Sequence, residues 1–473
     1  LDGIESKEGD TFSVEKLRKD TFKVSDKFTD VGYAFTNVDP VTDINRTSKT
    51  VNVNYVVDKG NLIKINRIII SGNQKTSDNV IRRTLKVEER QLYSSSKIKR
   101  SQELLQRLGY FDEVTLTPEP ALNANEVDLA VAVREGTTGQ FSAGAGISSD
   151  EGFIISSQVS ENNLFGTGNS VGLNVNLGNK RENFVLSYNN PRVNDSNWSF
   201  GTDLLKTKRD FSDYDREQMG GVITVGYPLW FLGPEVFDDV RFSLGYELMR
   251  IDITDVDKDA PQLVIDSRGE STASSVVPQI VRNTIDNPID PKKGSRQMAK
   301  FEIAGLGGDE EFWMTNLTNT WYYPLWQSTI GTFVFSHRVN YGYGDTFNDE
   351  PFPLYKRFFP GGINSVRGYD YRELGPKDED GDVYGGNKQL VTNFELIFPL
   401  FDSIGLSGVV FYDIGQAFDD DVPIEVSELR KAYGWGIRWR SPIAPIRLEI
   451  GYPVDREEGE SASNINFSFG SPM

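Results

Sequence analysis

The sequence predicts two small α+β domains followed by an all-β antiparallel barrel of 16 strands that spans a membrane. Of the 44 glycines, 37 lie after residue 138, and that stretch also carries the whole net charge of −19. Helical periodicity is confined to the first 138 residues, whereas later segments alternate apolar and polar residues. About 16 such segments fill the remainder at a spacing of roughly 21 residues, which exceeds the ~8–12 residues typical of soluble sandwiches.

The first 138 residues contain one complete α+β unit. Residues 77–87 and 95–108 are amphipathic and predict two helices. Strand-like segments at 63–71, 113–118 and 127–135 flank them, which gives the order β-α-α-β-β. This order predicts a small domain with a sheet covered by two helices.

A partial copy of the same unit precedes it. Val31-Gly32-Tyr33 matches Leu108-Gly109-Tyr110 at a distance of 77 residues, and each match follows a helix-like segment. The first copy lacks its opening strand and first helix, so we expect the chain to begin inside a domain. The expected domains are 1–61 (partial), 62–138 (complete) and 139–473 (barrel).

The predicted barrel strands would cross the membrane by alternation rather than by long apolar runs. Tyr433, Trp435 and Ile437 alternate with Gly434 and Gly436, for example. A crossing strand needs ~9–11 residues and keeps a low mean hydropathy. A large soluble β-sandwich or propeller is the alternative fold.

Composition excludes several classes of function. An acidic chain repels phosphates, so we expect no nucleic-acid partner. The absence of cysteine excludes disulfides, thiolate catalysis and Cys-ligated zinc. His337 is the only histidine, which argues against a catalytic triad or a multi-His metal site. The acidic run 378–382 lacks the spacing of a calcium loop, and we expect no enzyme activity, metal or cofactor.

The most informative segment is 358–376, which reads FFPGGINSVRGYDYRELGP. It lies inside a predicted loop at 345–388, between two alternating strands. Apolar and aromatic residues surround Arg367, which is unusual for a solvated loop, although an ordinary extracellular loop is the alternative. Glycines permit tight backbone turns. The motif residues are Gly361, Gly362, Val366, Gly368 and Tyr369.

This segment resembles the loop signature of the BamA family of outer-membrane protein insertases. Residues 70–116 resemble the family's POTRA repeats, and 161–171 and 282–294 resemble two further family motifs. The resemblance covers essentially the whole chain. It implies periplasmic POTRA domains and a 16-stranded barrel in the outer membrane of Gram-negative bacteria. The implied function is to fold and insert other β-barrel proteins without ATP.

The resemblance also implies partners. These are outer-membrane lipids, unfolded β-barrel client proteins, and the accessory lipoproteins and chaperones that meet POTRA domains in a BAM complex. A translocation-assembly protein or a two-partner secretion pore of the same superfamily is the nearest alternative. A passive porin is a more distant one.

In the family, the loop arginine folds into the barrel lumen and contacts acidic residues on the wall. This implies that Arg367 is a loop anchor with Glu395 and Asp413 as its partners. Both acids lie among apolar strand neighbours, and a charge there should face the lumen because the lipid face penalises it. The alternative is that both acids merely line a wet lumen.

Closure of the barrel requires its first strand, near 140–147, to pair with its last, near 464–470. Interior glycines weaken a strand, and the last strand is short, so we expect a weak seam. Such a seam would open and offer its edge to a client strand, whereas an ordinary closed barrel is the alternative. The chain ends at Met473, where the family commonly has an aromatic residue. The seam residues are Gly144, Gly146, Ile465, Phe467 and Phe469.

Overall fold

The chain contains two compact units. The first consists of Leu1–Gly139 and Glu161–Asn169, and the second of Gln140–Ser160 and Ser170–Met473. Met473 lies outside the residues that the structure describes. The computed structural model describes residues 3–232, 237 and 239–470.

The first unit opens with one helix and a two-stranded sheet. Helix α1 (Val14–Thr29) begins after Ser13, whose hydroxyl accepts a hydrogen bond from the backbone N–H of Lys16 at 3.4 Å. Such N-caps satisfy a donor that has no partner within the helix. The helix contacts a two-stranded antiparallel sheet of β1 (Asn37–Asn45) and β2 (Thr50–Asp58).

The rest of the first unit contains the predicted β-α-α-β-β domain. Its sheet order is β3-β5-β4, with β3 parallel and β4 antiparallel to β5. Ile65, Ile81, Leu105 and Leu129 are fully buried and join the helices to the sheet. The elements are β3 (Lys64–Ser71), α2 (Asp78–Arg82), α3 (Ser95–Arg107), β4 (Phe111–Pro120) and β5 (Glu126–Glu135).

The helix ends in the two copies of the repeat agree only in part with the prediction from the sequence. The prediction of one helix over 77–87 was wrong in length, since α2 ends at Arg82. The backbone N–H of Lys86 instead donates to the hydroxyl of Ser101 on α3 at 2.8 Å. The matching glycines of the repeat, Gly32 and Gly109, have φ angles of 106° and 71°. Glycine adopts this conformation without steric cost, as helix ends commonly require.

The strands after residue 138 form a closed barrel in which neighbours along the chain are hydrogen-bonded and antiparallel. The predicted strand number of 16 is confirmed. The strands are β6 (Gly139–Ser148), β7 (Gly152–Leu164), β8 (Asn169–Gly178), β9 (Arg181–Asn190), β10 (Ser199–Asp210), β11 (Asp215–Pro228), β12 (Val240–Thr254), β13 (Gly269–Asn283), β14 (Gly294–Gly308), β15 (Phe312–Ser328), β16 (Gly331–Thr346), β17 (Lys388–Phe401), β18 (Leu406–Phe418), β19 (Arg430–Arg440), β20 (Pro445–Pro453) and β21 (Asn464–Phe469).

Alternation along each barrel strand separates a luminal face from an outer face. On β18, Val409, Phe411 and Asp413 are buried, whereas Val410 and Tyr412 are exposed. Successive strand residues point to opposite faces, so the carboxylate of Asp413 points into the lumen. A short helix, α4 (Gln262–Asp266), lies between β12 and β13. In the described part of the chain, no helix is both long and apolar enough to cross a membrane.

Glu135, at the end of β5, closes the turn that follows β3. Its carboxylate accepts hydrogen bonds from the backbone N–H groups of Gln74, Lys75 and Thr76 at 3.1, 2.9 and 2.6 Å. Burial raises the pKa of Glu135, but these hydrogen bonds outweigh it and hold the pKa below its ordinary value. The charged form of Glu135 therefore stabilises the folded turn.

We expect Glu135→Gln to lower the free energy of local opening at residues 74–76 by about 1 kcal/mol at pH 7. The contribution of the carboxylate is complete above its unfolded pKa of ~4.3 and is lost as pH falls through the lower folded pKa. Amide hydrogen exchange in the full chain measures this opening, and the difference between variant and wild type should shrink below pH ~4. Glu119→Gln, at an exposed position of β4, is the control, and an equal effect there would refute the role of Glu135.

Candidate functional site

The long loop between β16 and β17, residues 347–387, folds into the barrel and is buried there. Val366, Arg367 and Tyr369 are 0%, 1% and 1% exposed, and Leu374 is 2% exposed. A fully buried arginine requires ionic or hydrogen-bonding partners, because an isolated buried charge is costly. The middle of the loop is therefore part of the packed lumen.

Glycines give the loop its tight turns and its close contact with the wall. Gly361 and Gly362 have φ angles of 114° and 86°, in the left-handed region that favours glycine. A Cβ on Gly361 would lie 2.2 Å from the carbonyl oxygen of Asp370. A Cβ on Gly368 would lie 2.5 Å from the Cβ of Ala432 on β19. Side chains at these positions would prevent the observed path of the loop.

Arg367 contacts both acids that the sequence predicts as its partners. Its Nε and Nη2 donate to the two carboxylate oxygens of Asp413, each at 2.6 Å, and its Nη1 donates to Glu395 at 2.6 Å. Nη1 also donates to Glu449 on β20 at 2.9 Å. The guanidinium carbon lies 3.5 Å from the ring centroid of Phe411. Two-pronged contacts of this kind are among the strongest hydrogen bonds in proteins.

Three members of this network, Glu449, Arg438 and Arg447, were not predicted from the sequence. Arg438 donates to Glu449 and to Glu395, each at 2.7 Å, and Arg447 donates to Glu449 at 2.8 Å. The sequence shows that they lie on the polar face of alternating strands, but it does not show that they lie close to the loop. We call this charge-balanced set the luminal network: Arg367, Arg438, Arg447, Glu395, Asp413 and Glu449.

The loop also binds strands on both sides of the seam between β6 and β21. The backbone N–H of Ile363 donates to Asp150, in the turn after β6, at 3.2 Å. On the other side, the Nδ2 group of Asn466 on β21 donates to the carbonyl oxygen of Arg367 at 2.8 Å. Arg447 of β20 donates to the carbonyl oxygen of Ile363 at 2.9 Å. The loop therefore bridges the two edges that the barrel must join.

The strand pairing at the seam itself is short. Among the described residues, β6 pairs with β21 at Ile147 with Phe469 and at Ser148 with Ser468. By contrast, β21 pairs with β20 from Phe469 back to Asn464, along its whole length.

The predicted seam residues lie at different distances from this pairing. A Cβ on Gly146 would lie 2.7 Å from the carbonyl oxygen of Phe469, whereas one on Gly144 would have no neighbour within 4 Å. Ile465 and Phe467 pair with β20. Phe467 also accepts, at its carbonyl oxygen, a hydrogen bond of 2.9 Å from the backbone N–H of Ser149 in the turn after β6, whereas Ile465 has no partner on β6 among the described residues.

A second arginine of the loop, Arg372, contacts another part of the barrel. Its guanidinium carbon lies 3.4 Å from the ring centroid of Phe359 and 4.3 Å from that of Phe211. Its Nη2 donates to the hydroxyl of Tyr214 at 3.3 Å. Phe211 and Tyr214 lie in the turn between β10 and β11, so the loop is held at two distant points of the wall.

The acidic run at 378–382 forms a turn. The carboxylate of Asp378 accepts hydrogen bonds from the backbone N–H groups of Asp380 and Asp382 at 3.1 and 2.8 Å. Within the described ranges, no three His, Cys, Asp or Glu side chains are arranged to hold a metal ion. The candidate site therefore consists of the loop, the luminal network and the seam.

Arg367→Ala should lower the free energy of opening of the loop by about 3–5 kcal/mol, because it leaves the buried carboxylate of Asp413 without its cation. Arg367→Lys should restore only part of it, since lysine cannot make the two-pronged contact with Asp413. Hydrogen exchange at residues 361–369 measures the opening.

A double-mutant cycle isolates the contact between Arg367 and Asp413. We expect Arg367→Ala and Asp413→Asn to be non-additive by at least ~1 kcal/mol. Arg372→Ala, on the same loop but away from Asp413, should be additive with Asp413→Asn within ~0.5 kcal/mol. Additivity in both cycles would mean that Arg367 and Asp413 are not coupled.

Comparison with known proteins places this architecture in a family. Residues 163–473 match the Omp85 superfamily domain, and residues 1–60 and 63–136 match the POTRA model, described as a surface antigen variable number repeat. The chain is similar to a solved structure of BamA from Haemophilus ducreyi lacking POTRA domains 1–3, with a TM-score of 0.76 and 23% identity over 98% of this chain and 94% of that one. It is also similar in fold to CdiB from Acinetobacter baumannii, with a TM-score of 0.60 and 13% identity over 98% of this chain and 82% of that one.

Curated relatives are similar over nearly the whole chain. The outer membrane protein assembly factor BamA of Nitratidesulfovibrio vulgaris is 32% identical over 98% of this chain and 58% of its own length. The protein of the same name from Neisseria meningitidis serogroup B is 28% identical over 95% of this chain and 61% of its own length. The chain thus spans about three fifths of these relatives. With its barrel domain and both N-terminal repeats matched, the chain belongs to the Omp85 superfamily.

Proposed function

We propose that this chain folds β-barrel client proteins and inserts them into the bacterial outer membrane by templating their strands at the seam. The short pairing of β6 with β21 is the observation that carries this proposal. The barrel lies in the outer membrane, and the N-terminal domains lie in the periplasm. Similarity to proteins named outer membrane protein assembly factor supports both the activity and the location.

The edge of β6 would be the template. From Gly139 to Gly146 this strand has no partner on β21 in the described part of the chain. Backbone groups on an open strand edge accept an incoming strand by β-augmentation. Each hydrogen bond so formed contributes a net ~0.5–1.5 kcal/mol, so formation of the client's own sheet supplies the driving force and ATP is not needed.

The loop would control how readily the seam opens. Its hydrogen bonds to Asp150 and from Asn466 join the two edges where the strand ladder is short. The luminal network, centred on Arg367, holds the loop in the position from which it makes these bonds. Release of Arg367 would therefore loosen the seam.

The remaining surfaces would bind the partners. We place the periplasmic domains at 1–61 and 62–138, where the edges β3 and β4 accept extended segments of clients, accessory lipoproteins and chaperones of a BAM complex. On the outer face, Trp321, Tyr323 and Trp326 are about half exposed, as is typical of lipid contact at a membrane interface. The chemistry is folding rather than covalent change, so we assign no catalytic residue.

Other members of the superfamily provide the alternative functions. A translocation-assembly protein shares the seam but acts on a different client, and a two-partner secretion pore passes a chain through its lumen. A passive porin requires an open lumen, whereas buried Val366 and Arg367 keep the loop inside it. Only the insertase and translocation-assembly readings require the seam to open.

A covalent lock across the seam tests the proposal. Ser148 and Ser468 are directly opposed, and opposed residues on neighbouring strands place their Cβ atoms ~4.5–5.5 Å apart. The variant Ser148→Cys with Ser468→Cys should support client folding in liposomes when reduced and lose at least about tenfold in rate when oxidised. Because the chain has no cysteine of its own, the cross-link is unambiguous.

A lock between ordinary neighbours is the matched control. Thr202 and Ile223 are directly opposed on β10 and β11, which pair along nearly their whole length. Oxidation of Thr202→Cys with Ile223→Cys should leave client folding unchanged. Equal folding rates for the oxidised and reduced seam variant would rule out lateral opening, and unchanged ion conduction with no client folding in any state would favour a porin.

A further inference from the structure

A cavity of about 290 Å³ lies in the barrel lumen beside the luminal network. Its walls are the loop segment 363–365, the periplasm-proximal turn 288–292, and inward-facing side chains of β16, β17 and β19. Ligand sites in proteins commonly measure ~300–1,000 Å³. A cavity at the small end of this range fits a small ion better than an extended ligand.

The lining of the cavity is strongly basic. Asp290 and Glu395 are its only acidic members among the described residues. Asp413 and Glu449 lie behind the lining and pair with Arg367. Six basic groups therefore face four carboxylates, an excess of two positive charges. The basic residues are Lys292, Arg338, Arg367, Arg438, Arg440 and Arg447.

Most of these charges are paired. The luminal network neutralises three of the arginines, and Asp290 is shared between Arg440 and Lys292, the latter at 3.1 Å. The backbone of Arg338 pairs with Thr320 and Asn393 in the strand ladder, but its side chain makes no ion pair or hydrogen bond with any described residue. Its guanidinium group therefore faces the cavity unneutralised.

An unpartnered acceptor lies directly across the ladder from Arg338. Asn393, opposite it on β17 and 8% exposed, donates from Nδ2 to the carbonyl oxygen of Ser365 at 2.7 Å and to Asp413 at 2.8 Å. Both partners are acceptors, which fixes the orientation of the amide. Its Oδ1 is buried without a hydrogen-bond partner. Because this oxygen is inaccessible to solvent, a ligand beside Arg338 reaches it only when the amide of Asn393 turns toward the cavity that it lines.

We propose that this cavity binds a small oxyanion, hydrogen phosphate in particular, among Arg338, Arg440 and Lys292. The anion's charged oxygens would accept from the basic groups, and its P–OH group would donate to Asn393. The carboxylate of Asp290 already occupies Arg440 and would act as an internal competitor for the site. This inference is independent of the seam and its proposed function.

Isothermal titration calorimetry tests the proposal. Inorganic phosphate is titrated into the full chain in phosphatidylcholine nanodiscs at constant ionic strength. We expect one site per chain, binding weakened at least ~10-fold in Arg338→Gln, and binding tightened in Asp290→Asn. The opposite signs of the two variants distinguish a specific site from general attraction. Arg209→Gln, at a luminal arginine outside this cavity, should leave the affinity unchanged.

Two further probes define the ligand. Sulfate has no hydrogen to donate to Asn393, so it should bind at least ~10-fold more weakly than phosphate. Nanodiscs of phosphatidylglycerol should give the same phosphate affinity, because the cavity lies in the lumen. Loss of phosphate binding in those nanodiscs would show that a lipid headgroup occupies the site and overturn its assignment to a free ion.

Several outcomes would overturn the proposal. These are the absence of a saturable heat, equal losses in Arg338→Gln and Arg209→Gln, weaker binding in Asp290→Asn, and equal binding of sulfate. If a variant fails to fold, phosphorus-31 NMR of inorganic phosphate with the wild-type chain still decides the matter. Broadening that saturates at one ion per chain supports the site, and unbroadened signals overturn it.

Discussion

The ion pairs of Arg367 are the interaction on which the rest of the barrel interior depends. One guanidinium group meets carboxylates from three strands, Glu395 of β17, Asp413 of β18 and Glu449 of β20. Asp413 has no other cation partner among the described residues, so without Arg367 its buried carboxylate would carry a large desolvation cost. With Arg367 in place these carboxylates fix the loop, and the loop in turn occupies part of the lumen.

The same loop compensates for the weakest junction of the barrel. Elsewhere a strand is held along most of its length, as β21 is by β20. At the seam, side-chain and backbone bonds of the loop to Asp150 and Asn466 take over part of that task. In the structure, the seam is thereby closed partly by bonds of the loop.

The sequence was sufficient for the architecture and for part of the site. Alternation and spacing predicted the 16 strands, and the family resemblance implied Arg367, Glu395 and Asp413. Glu449 and Arg447 escaped prediction because their role depends on the strand register of β20 and on the depth of the loop in the lumen. Neither quantity is encoded in a local pattern. The early end of α2 has the same cause, since the bond between Lys86 and Ser101 links the segment after α2 to α3.

The position of the seam in the chain has a consequence for how each molecule of this protein folds. Its closing pairs join Ile147 to Phe469, residues 322 positions apart in the chain. Contacts between such remote residues form slowly, because a large loss of chain entropy precedes them. We expect barrel closure to be the slowest step in the chain's own maturation. Under the proposed function, a newly made copy would depend on an older copy already in the membrane. Each new molecule would then require an existing folded molecule in the membrane, in addition to the gene that encodes it.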